Sequence, residues 1–263
     1  MSRRLLLHEG RAICNDPHMP RLENLDRTVH RNTRVQDELA LAASKDISMC
    51  AVGLNEIARL VVEYPIVFTR NDDTGQYVCV ALFGCSPTEN VYWQDGRWNS
   101  FMVPLNVGRQ PFNVGLADNP QAGAGQKELV SCIDVENSAV QTERGEPLFD
   151  ETGADTPYLR HKLAMLAELV GDERRCREFT ERATTLELIR PFQLELKAQG
   201  VQTRKIAGLH TIDEGKLRAL DGPTLADLNS RGYLHAMYAM LSSLGQLQIL
   251  ARRSVMQRAA SNA

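Results

Sequence analysis

The chain predicts an α+β fold: an antiparallel β-rich N-terminal half with a C-terminal helix–hairpin–helix part packed against it. Three observations carry this. Short apolar, β-branched runs separated by turn signals fill residues 47–132. Apolar residues recur at helical spacing after Pro157 and again after Tyr233. The order is strands, helix, hairpin, helices, not the regular βαβ alternation that builds a parallel sheet.

Residues 1–44 interleave arginines with acids and contain no aromatic, which reads as an extended charged arm with a short helix at Arg34–Ala43. Asn55–Val62 reads as a short amphipathic helix that Tyr64-Pro65 ends, because proline lacks an N–H and biases the residue before it toward extended backbone. Pro65–Arg70 and Tyr77–Gly84 are apolar runs joined by Asn71-Asp72-Asp73-Thr74-Gly75, a hairpin pattern. Val91-Tyr92-Trp93 resumes a strand, Asp95-Gly96 is a tight-turn pair, and Arg97-Trp98 returns. Pro111–Leu116 and Leu129–Val135 are further strands around a loop at Asp118–Gln126.

After an acid-dense loop, Thr156-Pro157 has the form of an N-cap followed by proline in the first turn. Leu159, Leu163, Leu166, Leu169 and Val170 follow at helical spacing, and Gly171-Asp172 is expected to kink or split the helix before it resumes toward Leu188. Phe192–Lys197 and Thr203–Ile212 form a second hairpin about Gln199-Gly200. Two short helices, Asp213–Leu220 and Thr224–Arg231, precede a longer one at Tyr233–Arg253. Ser254–Ala263 reads as a frayed tail. The expected organisation is thus a single domain over 45–255, with the arm before it and 256–263 loose behind it.

Composition narrows the function classes. The 263 residues are 43% hydrophobic and 24% charged, ordinary globular values. The 30 basic and 33 acidic groups nearly cancel, so no global field draws nucleic acid or a membrane surface, and no nucleic-acid partner is expected. No stretch approaches the roughly 18 apolar residues of a bilayer span. Met1-Ser2-Arg3-Arg4-Leu5-Leu6-Leu7 starts like a signal peptide, but its apolar run falls short of about 7–15 residues. Cytoplasmic location is therefore expected, with reduced, buried cysteines. Cell-surface location by non-classical export is the alternative.

The chain resembles the SapC-like proteins of bacteria from about Leu25 to Arg252. The early segment Leu25–Val35 is similar to that family's "L-N-x-x-x-H-x-x-x-R-V". Glu56, Tyr64, Pro65, Val67 and Phe68 fall on its helix–strand block. The most specific part is Gly145-Glu146-Pro147-Leu148-Phe149-Asp150 with Gly153 and Thr156-Pro157-Tyr158-Leu159. Two departures are visible: Ile57 stands where an aromatic is usual, and Gln110 precedes Pro111-Phe112 where a tyrosine is usual. The resemblance implies an association with a bacterial surface layer.

No catalytic motif stands out. Gly123-Ala124-Gly125-Gln126-Lys127 lacks P-loop spacing, and no nucleophile elbow or metal-binding His pair exists. The acidic loop Glu143–Asp155 does not follow the EF-hand order. No metal and no cofactor are expected. The weak catalytic candidates are His30, Glu56 and His210, a dispersed imidazole–carboxylate set. Trp93, Arg97, Trp98, Arg109 and Phe112 are candidates for a ligand pocket, with core packing as the competing reading. The expected function is that of an accessory or binding protein without evident catalysis, serving a surface-layer, transport or peptide-modification system through a protein or peptide partner. The alternatives are a surface-layer component itself and an enzyme with the dispersed site. The residues do not fix an oligomeric state.

Overall fold

A computed structural model describes residues 20–71, 74–118, 126–198 and 201–261. The first half contains β1 (Leu22–Asn24), β2 (Arg34–Val35), α1 (Asp37–Ala42), β3 (Met49–Ala51), α2 (Leu54–Leu60), β4 (Ile66–Arg70), β5 (Tyr77–Leu82), β6 (Trp93–Gln94), β7 (Arg97–Trp98), α3 (Leu105–Gly108), β8 (Phe112–Asp118) and β9 (Lys127–Asp134). Then come β10 (Val140–Gln141), β11 (Glu146–Pro147), α4 (Pro157–Thr185), β12 (Ile189–Ala198), β13 (Val201–Ile212), α5 (Glu214–Arg218), α6 (Gly222–Ser230), α7 (Tyr233–Ser243) and α8 (Gln246–Ser261). The fold is α+β, and every strand pairing is antiparallel.

Turn chemistry sets the local pairings. Asn71 Oδ1 accepts the Thr74 N–H at 3.0 Å, Gly75 takes φ +69°, and the β4–β5 hairpin then runs from Arg70 opposite Tyr77 to Ile66 opposite Ala81. At the β6–β7 turn Asp95 and Gly96 both have positive φ, 52° and 75°, the backbone that matches the twist of a tight hairpin. Val91 and Tyr92 lie before this ribbon, not in it.

The hairpins assemble into a five-stranded sheet of order β12-β13-β4-β5-β3. A three-stranded sheet β1-β9-β8 and a small sheet β10-β2-β11 stand beside it. One core cluster lies on the larger sheet, with Ile57, Tyr64, Phe68, Phe83, Phe179 and Met237 at its centre. A second joins Val35, Phe112, Ile133, Leu148, Leu159 and Leu166. Helix α4 serves both: Leu159 and Leu166 belong to the second cluster, Phe179 and Ala183 to the first. Its 29 residues span about 43 Å at 1.5 Å per residue.

Four expectations are corrected. Residues 20–44 are not a free arm: β1 pairs with β9, and Val35 and Ala40 are buried in the second cluster. Residues 1–19 lie outside the described residues. Helix α4 is unbroken at Gly171-Asp172. A Cβ at Gly171 would meet nothing, so this glycine costs only its propensity, about 1 kcal/mol. The terminal helix is two helices, parted at Leu244-Gly245. The tail from Ser254 is helical to Ser261 and docked, since Ser254 Oγ and Arg258 Nε donate to Glu89 Oε1 at 2.7 and 2.8 Å.

Candidate functional site

The helix–strand block from Gly53 to Phe68 organises two polar constellations. At the start of α2 the unpaired N–H groups of a helix N-terminus need acceptors. Glu56, fully buried, accepts the Gly53 N–H at 2.9 Å and the Leu105 N–H at 3.0 Å, with Arg59 Nη2 at 3.5 Å. Burial pushes its carboxyl pKa up, against these hydrogen bonds. Helix α4 supplies the other acceptors. Asp172 Oδ2 takes the Asn55 N–H at 2.8 Å, and Cys176 Sγ takes the Leu54 N–H at 3.0 Å. Burial, then the Asp172 carboxylate, pushes the Cys176 thiol up to about 12, so it is a neutral cap and a poor nucleophile. Gly53 is required by this packing, because a Cβ there would stand 2.6 Å from Asp172 Oδ2.

At the other end of the block, Glu63 and Tyr64 hold the loop 99–103. The Glu63 carboxylate accepts Ser100 Oγ–H at 2.7 Å, Phe101 N–H at 3.1 Å and Met102 N–H at 2.8 Å. The buried Tyr64 hydroxyl donates to Met102 O at 2.5 Å and accepts Trp98 Nε1–H at 3.2 Å. Burial pushes the Tyr64 pKa well above the usual tyrosine range, keeping it a neutral donor. Behind it, Tyr64, Phe83, Tyr92 and Trp98 form one aromatic cluster, and the Tyr92 hydroxyl donates to Glu63 O at 2.7 Å. The loop so pinned presents Phe101 at 98% exposure. Phe101 is thus a large aromatic held out in water on a loop whose backbone is fixed by hydrogen bonds.

The predicted residues scatter. His30 is buried in the segment after β1, its Nδ1 3.1 Å from Asp26 N and its Nε2 3.8 Å from Glu23 Oε2. His210 lies on β13 with its ring against Tyr77. Glu56 bonds to neither, so these three share no contact. Of the pocket candidates, Trp98 sits in the aromatic cluster, Trp93 is half-buried across the ribbon from it, and Arg97 is exposed. Arg109 is buried, donating to Asn106 Oδ1 at 3.0 Å and Phe112 O at 2.6 Å. Phe112 belongs to the second core cluster. Phe101 is not among those candidates, since a lone aromatic three residues after Trp98 carries no signal of its own. Asp172 and Cys176 gave no signal, since their partners lie more than a hundred residues away.

Among the described residues no group of three or more His, Cys, Asp or Glu could hold a metal ion, and no helix is long and apolar enough to cross a membrane. An open cleft of about 490 Å³ between α4 and α6 is lined by Glu178, Arg182, Asp227, Arg231 and Tyr233, and Asp227 is paired there with both Arg182 and Arg231.

No curated protein and no solved structure shows significant similarity to this chain. The model of one family, SapC, matches residues 25–250, which includes the helix–strand block, the Phe101 loop and all of α4. On that match, the chain belongs to the SapC family.

Proposed function

We propose that this chain is a non-catalytic accessory protein that docks a protein or peptide partner through the Phe101 loop, serving a surface-layer, transport or peptide-modification system from the cytoplasm. The observation that carries this reading is the full exposure of Phe101 on a loop whose backbone Glu63 and Tyr64 hold at three points. Preorganisation of this kind lowers the ordering entropy lost on binding, which is where an exposed anchor gains affinity. Cys50, Cys79, Cys85, Cys132 and Cys176 are free thiols, in keeping with a reducing compartment.

The test places a photo-crosslinking phenylalanine analogue at position 101 in native cells, with the same analogue at exposed Leu129 as control. A discrete protein adduct from position 101, missing from 129 and competed by unlabelled wild type but not by F101S, is expected. Equal adducts from both positions, or substrate turnover by the purified chain, would defeat the proposal. Protease treatment of intact cells tests the location: protection is expected, and cleavage would favour the surface-layer component.

A further inference from the structure

Helix α8 is apolar on two opposite sides. Leu247, Leu250 and Ser254 face the core, with at most 7% exposure, while Ile249 and Met256 are 47% and 61% exposed. Ile249 and Met256 are seven residues apart and so share one stripe of the helix.

This outer stripe connects to the Phe101 loop. Gln246, one turn before Ile249, donates to Val62 O at 2.9 Å, and Val62 is itself 62% exposed. Arg253 lies 5.0 Å over the Tyr92 ring, whose hydroxyl reaches Glu63 O. Glu63 in turn pins Phe101. These contacts set the start of α8 beside Val62 and Arg253 beside the residues that hold the Phe101 loop.

The charge of that surface selects its occupant. Helix α8 carries three arginines and no acid. Arg258 is paired with Glu89. Among the described residues Arg252 has no ion-pair or hydrogen-bond partner, and Arg253 has only the Tyr92 ring. Glu63 spends its carboxylate on the loop. Two copies of α8 laid together would set arginine against arginine, which disfavours a second copy.

We propose that the outer face of α8 and the Phe101 loop form one docking surface for an acidic protein segment, which covers Ile249 and Met256 with apolar side chains and meets Arg252 and Arg253 with carboxylates. This rests on the docking reading above and extends it to a second element and a stated partner chemistry.

The experiment uses the full chain in native cells with the photo-crosslinking analogue at 101, at 249 or at 129, each with and without Arg252→Glu. Positions 101 and 249 are expected to capture the same protein and 129 not to. R252E should lower both yields roughly tenfold, the effect of about 1.4 kcal/mol at a charged rim. R252Q should fall between, and equal thermal midpoints for the three proteins would exclude misfolding. Capture from 101 but not 249 would overturn this inference and leave the docking reading standing. No specific capture from either position would remove both. Yields unmoved by R252E, or co-sedimentation of the purified chain with phosphatidylglycerol vesicles that R252E abolishes, would refute an acidic protein partner.

Discussion

Replacing Gly53 with alanine should destabilise the protein through Asp172, and the sign of the effect should reverse when Asp172 is removed. Gly53 has φ -75° and ψ 156°, a backbone that alanine adopts freely. On conformational grounds alone, Gly→Ala here should stabilise by about 0.4–1 kcal/mol, because the unfolded chain loses freedom. The new methyl, however, would stand 2.6 Å from Asp172 Oδ2, the atom that accepts the Asn55 N–H at 2.8 Å. Asp172 is 2% exposed and cannot swing into water to make room. Displacing it gives up a hydrogen bond to a charged acceptor, about 1.5–3 kcal/mol. The net for G53A is therefore a loss of about 1–2 kcal/mol. D172A should cost about 2–3 kcal/mol by leaving the Asn55 N–H unpaired. In the D172A background the obstacle is gone, so G53A should recover its gain of about 0.4–1 kcal/mol. Urea unfolding of the four proteins of this cycle, followed by far-ultraviolet circular dichroism, gives the coupling directly. An equal cost for G53A in both backgrounds would show that Asp172 does not hold the α2 N-terminus as described.

Other outcomes follow from the same geometry. Tyr64→Phe removes the hydroxyl that reaches Met102 O and Trp98 Nε1, so it should cost about 1–3 kcal/mol and shift tryptophan emission to the red as the loop loosens. Glu89 is half-buried, which alone would raise its pKa, but the hydrogen bonds from Arg258, Cys85 N and Ser254 prevail and hold it below 4.5. Its carboxylate thus contributes stability that is present above pH 4.5 and lost as pH falls through the folded-state value. Stability–pH curves of wild type and E89Q should accordingly differ at pH 7 and converge in acid, and parallel curves would contradict this. Cys176, with its pKa near 12, should resist iodoacetamide at pH 8 in the native protein although it is only half-buried, and label fully in urea. Peptide mass spectrometry reads the difference.

What the sequence disclosed was what local chemistry decides. The Asp95-Gly96 turn, the Thr156-Pro157 helix start and the two hairpins each follow from a few adjacent residues, and each stands in the fold. What it hid depends on partners far along the chain. Leu22–Asn24 has no strand signature of its own and becomes a strand by lying against Cys132–Asp134. Gly171-Asp172 looks like a helix break because both residues are poor helix formers. The aspartate sits there to cap α2, and the packing of α4 outweighs the propensity of two residues. The break at Leu244-Gly245 was masked because the apolar spacing of α7 runs on into α8. The candidate site shows the same division. The helix–strand block was legible, whereas the pairing of Phe101 with Glu63 and the separation of Phe112 from Trp98 were not, since Leu105–Gly108 turns the chain between them into the other core.

Helix α4 acts as a common axle. Two sets of packed side chains grip it at different heights, so each set reads its angle from the same shaft. One residue added near Gly171 would turn everything beyond it by about 100° and advance it by about 1.5 Å. Leu159 and Leu166 would then face their core while Phe179 and Ala183 faced away from theirs. The number of residues between the two grips is therefore a phase as much as a length, and kinship among chains of this fold should preserve that interval where the loops on either side drift.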